Sequence, residues 1–127
     1  MLALRNVLRL SDRLPTLVFD EVDAGIGGAE AEAVGSRLAA LKLDFQVICI
    51  THLPQIAVFA ETHLRVEKHT EEDHTRFSIE HLKNKDRERE IARMLGGIRI
   101  TEKTLAHAKE MLQRGTGTRT GNRKNKP

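Results

Sequence analysis

Two short apolar runs, Leu17-Val18-Phe19 and Gln46-Val47-Ile48-Cys49-Ile50, flank a segment in which Ala31, Val34, Leu38 and Leu41 recur at steps of three and four residues. The runs have the length and uniform apolarity of buried strands. The spacing between them gives an amphipathic helix from Gly28, with Glu30, Glu32 and Arg37 on its wet side. Strands joined by such a crossover pair in parallel, and parallel strands are expected to be buried on both faces. The fold class expected is therefore α/β, built on a parallel βαβ core. Ligands of such sheets collect at the carboxyl ends of the strands.

The rest of the chain extends this core. Leu2, Leu4, Val7 and Leu8 have helical spacing up to Ser11, and Pro15 lies in a loop before the first strand. Thr51-His52-Leu53-Pro54 reads as a turn into a helix whose apolar side is Ile56, Ala57, Phe59 and Ala60. Leu64 and Val66 then alternate with His63, Arg65 and Glu67, and Phe77 and Ile79 with Arg76, Ser78 and Glu80. That pattern predicts a β-hairpin with one wet face, its strands separated by the polar stretch 69–74. C-terminal helices follow. One runs from about Asp86 through Ile91, Met94 and Leu95 to a stop at Gly96-Gly97, and another starts near Thr101 with Leu105, Ala108 and Leu112 on one side. No repeat and no second domain are evident, as expected for 127 residues.

Charge divides unevenly. The formal net charge is +3, yet residues 114–127 hold five Lys/Arg and no acid, leaving 16 basic against 18 acidic side chains in residues 1–113. The domain is thus expected over 1–113, followed by a basic, disordered tail over 114–127, whose Gly and Thr content gives it no core. None of the four Phe residues lies in a basic stretch, and Tyr and Trp are absent, so stacking on single-stranded nucleic acid finds no platform. No apolar run approaches the ~18 residues of a membrane span. The amino terminus lacks the pattern of a secretory signal, and the expected location is cytoplasmic. Cys49, the single cysteine, reads as a buried strand residue.

The densest chemistry lies in Leu17-Val18-Phe19-Asp20-Glu21-Val22-Asp23-Ala24-Gly25-Ile26-Gly27-Gly28, where a strand ends in paired carboxylates and a third follows two residues later. Carboxylates there stay ionised when a cation or donors lie nearby. Apolar residues followed by Asp-Glu form the Walker B pattern, in which the Asp holds magnesium through its water shell and the Glu polarises the attacking water. Taken alone the pattern is weak evidence, and a capped, solvated strand end is the commoner meaning of an apolar strand ending in acids. His52 stands directly after the next strand, so a βαβ unit brings it towards Glu21. A neutral imidazole there could donate to a terminal phosphate oxygen, while the simpler role for Thr51 or His52 is to cap the following helix. His63, His69, His74, His81 and His107 show no metal-ligand spacing and are given no ligand role.

The runs LVFDEVDAGIGGAEAEAVGSRLAAL and QVICITHLPQIAVFA, with the ending ARMLGG and ITEKTLAHAKEML, resemble the carboxy-terminal part of the RecN family of bacterial DNA-repair proteins. These are SMC-like ATPases with ABC-type heads, so the resemblance implies a partial P-loop NTPase head. It also implies roles: Asp20 as the Walker B aspartate on magnesium, Glu21 as the catalytic glutamate, and His52 as the switch histidine. Asp23 with Gly25, Gly27 and Gly28 matches the D-loop that meets an opposing head. The implied cofactors are Mg2+ and ATP. The implied partners are a second head, as a homodimer, and DNA only indirectly through the complete protein, with no membrane. Association with the bacterial nucleoid is implied likewise.

The chain departs from the family pattern as well. None of its nine glycines belongs to a G-x-x-x-x-G-K-[ST] phosphate loop, and the Ser-Gly-Gly-Glu type of signature turn is missing. The expectation is a fragment of a RecN-like ATPase that acts in recombinational double-strand break repair. It would be inactive alone and bind Mg-ATP only beside the missing amino-terminal RecN-like half. Two other classes remain. A non-catalytic dimerisation or docking module, or a relic, would use the same surface without nucleotide. A magnesium-dependent nuclease or Toprim-like domain would use Asp20, Glu21 and Asp23 on a phosphodiester.

Overall fold

The structure, a computed structural model, describes residues 16–71 and 74–117. Strand β1 (Thr16–Phe19) is followed by helix α1 (Gly28–Leu41), strand β2 (Gln46–Cys49) and the single-turn helix α2 (Pro54–Ala57). The hairpin β3 (His63–Glu71) and β4 (His74–Leu82) leads to helices α3 (Asn84–Gly96) and α4 (Glu102–Gly117). The chain is mixed α/β with a parallel sheet, as its periodicity predicts. The expected helix up to Ser11 lies outside the described residues.

β1 and β2 pair in parallel, Thr16 with Gln46 through Phe19 with Cys49, and the Ile50 N–H extends the ladder to the Phe19 carbonyl at 2.8 Å. Alternate side chains face α1: Phe19, Val47 and Cys49 pack with Val22, Ile26 and Val34 around Ala31, Leu38 and Ile56. The other face is bare, since Val18, Ile48 and Ile50 are 63%, 45% and 56% exposed. The expectation of burial on both faces is thereby corrected. α1 covers one side of the sheet, and no second layer covers the other among the described residues. Cys49, although on the covered face, is half-buried rather than buried.

α2 joins the two halves of the core. Ile56 belongs to the cluster under β1 and β2, whereas Ala57, with Val58 and Phe59, packs on Ile91 and Ala92 of α3 and Ala108 and Met111 of α4. Pro54 occupies the first turn, where its missing N–H costs no helical bond. Gly35 of α1 lets the helices touch: a Cβ there would lie 2.6 Å from Phe59 Cδ2 and 3.1 Å from the Gln55 carbonyl. α3 ends at Gly97 in a left-handed conformation (φ 70°), as expected for a glycine stop. At the start of α4, the Thr104 N–H donates to Thr101 Oγ1 (3.2 Å) and the Thr101 N–H to Thr104 Oγ1 (2.8 Å), a reciprocal cap made by two threonines.

The hairpin differs from expectation in two ways. Its ladder continues through His69–Arg76 and Thr70–Thr75 to Glu71–His74, so most of the polar stretch is strand rather than loop. Backbone pairing does not require apolar side chains once the neighbouring register is fixed. The orientation is also the reverse of the usual one. The face carrying Arg65 turns to α3, where Arg65 meets the buried Glu90, while Leu64, Val66, Phe77 and Ile79 on the opposite face are 55% to 69% exposed. The final helix runs to Gly117, so residues 114–117 are helical, and the rest of the basic tail lies outside the described residues.

Candidate functional site

The site is assembled at the carboxyl ends of β1 and β2. Because Phe19 pairs with Cys49, the residues after each strand, Asp20-Glu21 and Thr51-His52, emerge at the same edge of the sheet. Asp20 and Glu21 are exposed. Glu21 has φ 54°, a left-handed conformation that few non-glycine residues adopt without support from their surroundings. From there the chain turns twice, the Ala24 N–H donating to the Glu21 carbonyl at 3.2 Å and the Ile26 N–H to the Asp23 carbonyl at 3.3 Å. Gly25 and Gly28 supply the further left-handed positions, φ 75° and 54°, that let the loop enter α1. A Cβ at Gly25, Gly27 or Gly28 would meet nothing within 4 Å, so this loop offers an open backbone surface.

Asp23 points the other way. Its side chain is 4% exposed, and a single oxygen, Oδ2, receives the Thr51 hydroxyl at 2.6 Å and the His52 backbone N–H at 2.9 Å. The same oxygen lies 2.9 Å from His52 Nδ1, on an imidazole that is 79% exposed. Burial raises the carboxyl's pKa, but the Thr51 and His52 donors together outweigh it and hold the group below its ordinary value. Thr51 also accepts the Leu53 N–H at 3.0 Å, so one hydroxyl ties the acidic loop to the entry of α2. The Cys49 thiol is pushed up by burial and by the Asp23 charge.

The structure thus brings Asp23, Thr51 and His52 into contact and leaves Asp20 and Glu21 open beside them. Thr51 is the residue that sequence reasoning undervalued. A hydroxyl at a strand end, next in sequence to His52 and facing the acidic turn of the adjacent strand, was the available signal. Among the described residues no group of three or more His, Cys, Asp or Glu side chains could hold a metal ion. A cation here would be held by Asp20 through water and by oxygens brought with the ligand. The shallow depression lined by Glu32, Gln55, Phe59 and Met111 lies elsewhere and shares no residue with the carboxylates. No described helix is long and apolar enough to cross a membrane.

No protein-family model matches the chain. Curated relatives do. The chain is 46% identical over 121 residues to the DNA repair protein RecN of Treponema pallidum (strain Nichols), which covers 95% of this chain and 21% of that protein. It is 46% identical over 113 residues to the protein of the same name from Streptomyces coelicolor, covering 89% of this chain and 20% of that one. Against that of Bacillus subtilis (strain 168) the identity is 35% over 120 residues, 94% of this chain and 21% of the relative. The resemblance read from DEVDAGIGG and ITHLPQ therefore extends along nearly the whole chain, and the chain belongs to the RecN family, spanning about a fifth of the length of the relatives it matches.

Proposed function

We propose that the chain supplies the carboxy-terminal portion of an ABC-type ATPase head in a RecN-like DNA-repair protein. The observation that carries this is the parallel pairing of Phe19 with Cys49, which sets Asp20-Glu21 beside Thr51-His52 at one sheet edge. The partial P-loop NTPase fold, with Walker B and D-loop, belongs to this proposal, as does recombinational break repair. Bound magnesium and ATP would supply the electrophilic phosphate and its charge neutralisation. Asp20 would hold the metal through water, Glu21 would orient and polarise the attacking water, and His52 would lie against the terminal phosphate. Gly25, Gly27 and Gly28 would meet a second head.

The remaining amino-terminal half of the head would supply the phosphate loop and a second layer for the sheet. Support for this comes from the bare face of Val18, Ile48 and Ile50 on the parallel sheet. Parallel sheets are stable when both faces are covered. DNA would be engaged only through the assembled protein.

Calorimetric titration of Mg-ATP into the chain, alone and mixed with a separately expressed half carrying the phosphate loop, tests the proposal, with Glu21→Gln in parallel to slow hydrolysis. Binding only in the mixture is expected. A folded chain that binds in neither case removes the ATPase reading. The second reading, a docking module, draws on that face and on the exposed hairpin face of Leu64, Val66, Phe77 and Ile79, and predicts self-association independent of ATP. Replacing Val66 and Phe77 by serine would then yield monomer in sedimentation, without loss of helix content. The nuclease reading needs three free carboxylates, and Asp23 is already committed to Thr51 and His52.

A further inference from the structure

α2 is a single turn of four residues, too short to hold its own place, and it is tied down at both ends. At its entry the Leu53 N–H donates to Thr51 Oγ1 at 3.0 Å, while the Thr51 hydroxyl and the His52 N–H both donate to Asp23 Oδ2. At its exit a side chain from the helical layer takes over. Arg87 of α3 places Nη2 2.7 Å from the Ala60 carbonyl, 3.3 Å from that of Val58 and 3.4 Å from that of Ala57. Two guanidinium hydrogens thus serve three carbonyls at a helix end, where intrahelical donors run out.

These acceptors set Arg87 apart from its neighbours. Arg65 and Arg93 meet the buried Glu90, whereas Arg87 bonds main chain, whose position no rotamer change can adjust. The exit is enclosed on other sides too: a Cβ on Gly115 of α4 would lie 2.5 Å from the Val58 carbonyl, and one on Gly35 of α1 3.1 Å from the Gln55 carbonyl. So short a turn, packed so closely, moves as one body. A displacement at its exit is therefore delivered to its entry, where the His52 N–H meets Asp23.

We propose that Arg87 is a positioning residue for the turn after β2: by clamping the exit of α2 it holds the Thr51-His52 backbone against Asp23, and so joins the helical layer to the carboxyl edge of the parallel sheet. A guanidinium suits the task, because its planar fork presents several hydrogens in fixed directions, while a lysine in its place is a point donor on a flexible stem. The placement of the backbone stands on these hydrogen bonds. Its consequence for turnover rests on the ATPase reading above.

Amide hydrogen exchange of the full chain, resolved by residue with NMR, tests the coupling. In Arg87→Ala the His52 and Leu53 amides are expected to exchange about tenfold faster, while the Ile50 amide, bonded to the Phe19 carbonyl in the ladder, keeps its parent rate. A general loss of stability would move all three together. Arg93→Ala, which takes an arginine of the same helix from Glu90 and leaves the α2 carbonyls bonded, should not separate His52 from Ile50. Arg87→Lys keeps the charge and one donor, gives an intermediate response, and serves if the alanine variant unfolds. Equal acceleration of His52 and Ile50 in both Arg87 variants, no acceleration in either, or the same separation in Arg93→Ala overturns the proposal.

Kinetics in the mixture with the phosphate-loop half separate this from the functional reading. Arg87→Lys should lower kcat about tenfold with KM unchanged. A His52 amide that responds in a mixture without turnover leaves the positioning role standing and removes the ATPase. Turnover at the parent rate in Arg87→Lys, with the three amides moving together, removes the positioning role and leaves the ATPase reading intact.

Discussion

Arg65 of β3 reaches Glu90 of α3, Nη1 to Oε2, at 3.6 Å, and this contact draws the charged face of the hairpin inward. Glu90 is 5% exposed and also receives Arg93, Nη2 to Oε1 at 2.6 Å and Nε to Oε2 at 3.0 Å. Arg65 in turn bonds Glu80, its cross-strand partner, at 2.7 Å. One carboxylate therefore joins the hairpin to the helical layer. Replacing it leaves two guanidinium groups without their shared partner. Since both arginines keep contact with water, Glu90→Ala is expected to cost about 1–2 kcal/mol rather than the full penalty of a buried unpaired charge. Urea unfolding measures the loss, and Arg93→Ala should cost less, because Arg65 still serves Glu90.

Two buried acids, Glu90 and Asp23, set the response to acid. The Arg93 hydrogen bond, opposed by burial and aided by the Arg93 and Arg65 charges, holds the Glu90 carboxyl below its ordinary value, and Asp23 is likewise held low. For a group whose folded value is depressed, the unfolded chain takes up the proton first as pH falls. The stabilisation is thus complete above the unfolded value and disappears as pH drops through the folded one. The melting temperature should therefore fall from about pH 4.5 downward. Glu90→Gln should begin lower at neutral pH and show a shallower acid slope in a pH series of thermal melts.

Gly35 leaves the packing between α1 and α2 little tolerance. Alanine would gain helix propensity of up to about 1 kcal/mol. Its Cβ, however, would lie 2.6 Å from Phe59 Cδ2 and 3.1 Å from the Gln55 carbonyl, the latter on backbone that cannot rotate away. Overpacking of that kind costs about 1–3 kcal/mol. Gly35→Ala is expected to lower the melting temperature, and Phe59→Leu in the same chain should recover part of the loss. A gain in stability would mean that α1 and α2 lie further apart than the structure has them.

Much of this arrangement was legible in the sequence, and its limits have physical causes. The helix period located α1 because burial on one face imposes a period directly, and unbroken apolarity located β1 and β2: Ala31 and Leu38 are buried as their spacing requires. The Gly97 stop and the Thr101 start were legible because caps depend on single residues. The hairpin orientation was not. Alternation says which residues share a face but not which face finds a neighbour, and Glu90, twenty-five residues after Arg65, reversed the usual choice. At the site, the adjacency of Asp20-Glu21 and His52 followed from parallel pairing. The inward turn of Asp23 did not, because two tight turns after Glu21 decide where its carboxylate points.

Glu21 gives the remaining test, since its backbone separates stability from chemistry. Its φ of 54° places an L-residue in the left-handed region, at about 1–2 kcal/mol. Glycine relieves that strain but loses more freedom on folding, by about 0.5–1 kcal/mol. The net expectation for Glu21→Gly is a gain of a few tenths to about 1 kcal/mol, read as a rise in urea midpoint. Glu21→Ala removes the same carboxylate but keeps the strained backbone, so its midpoint should stay near that of the parent chain. Both variants should abolish turnover in the mixture with the phosphate-loop half. On the ATPase reading proposed above, the strain at this exposed residue would serve to present its carboxylate for chemistry. Equal midpoints for the glycine and alanine variants would mean that the left-handed turn costs the chain nothing, and the case for Glu21 as a functional carboxylate would then rest on turnover alone.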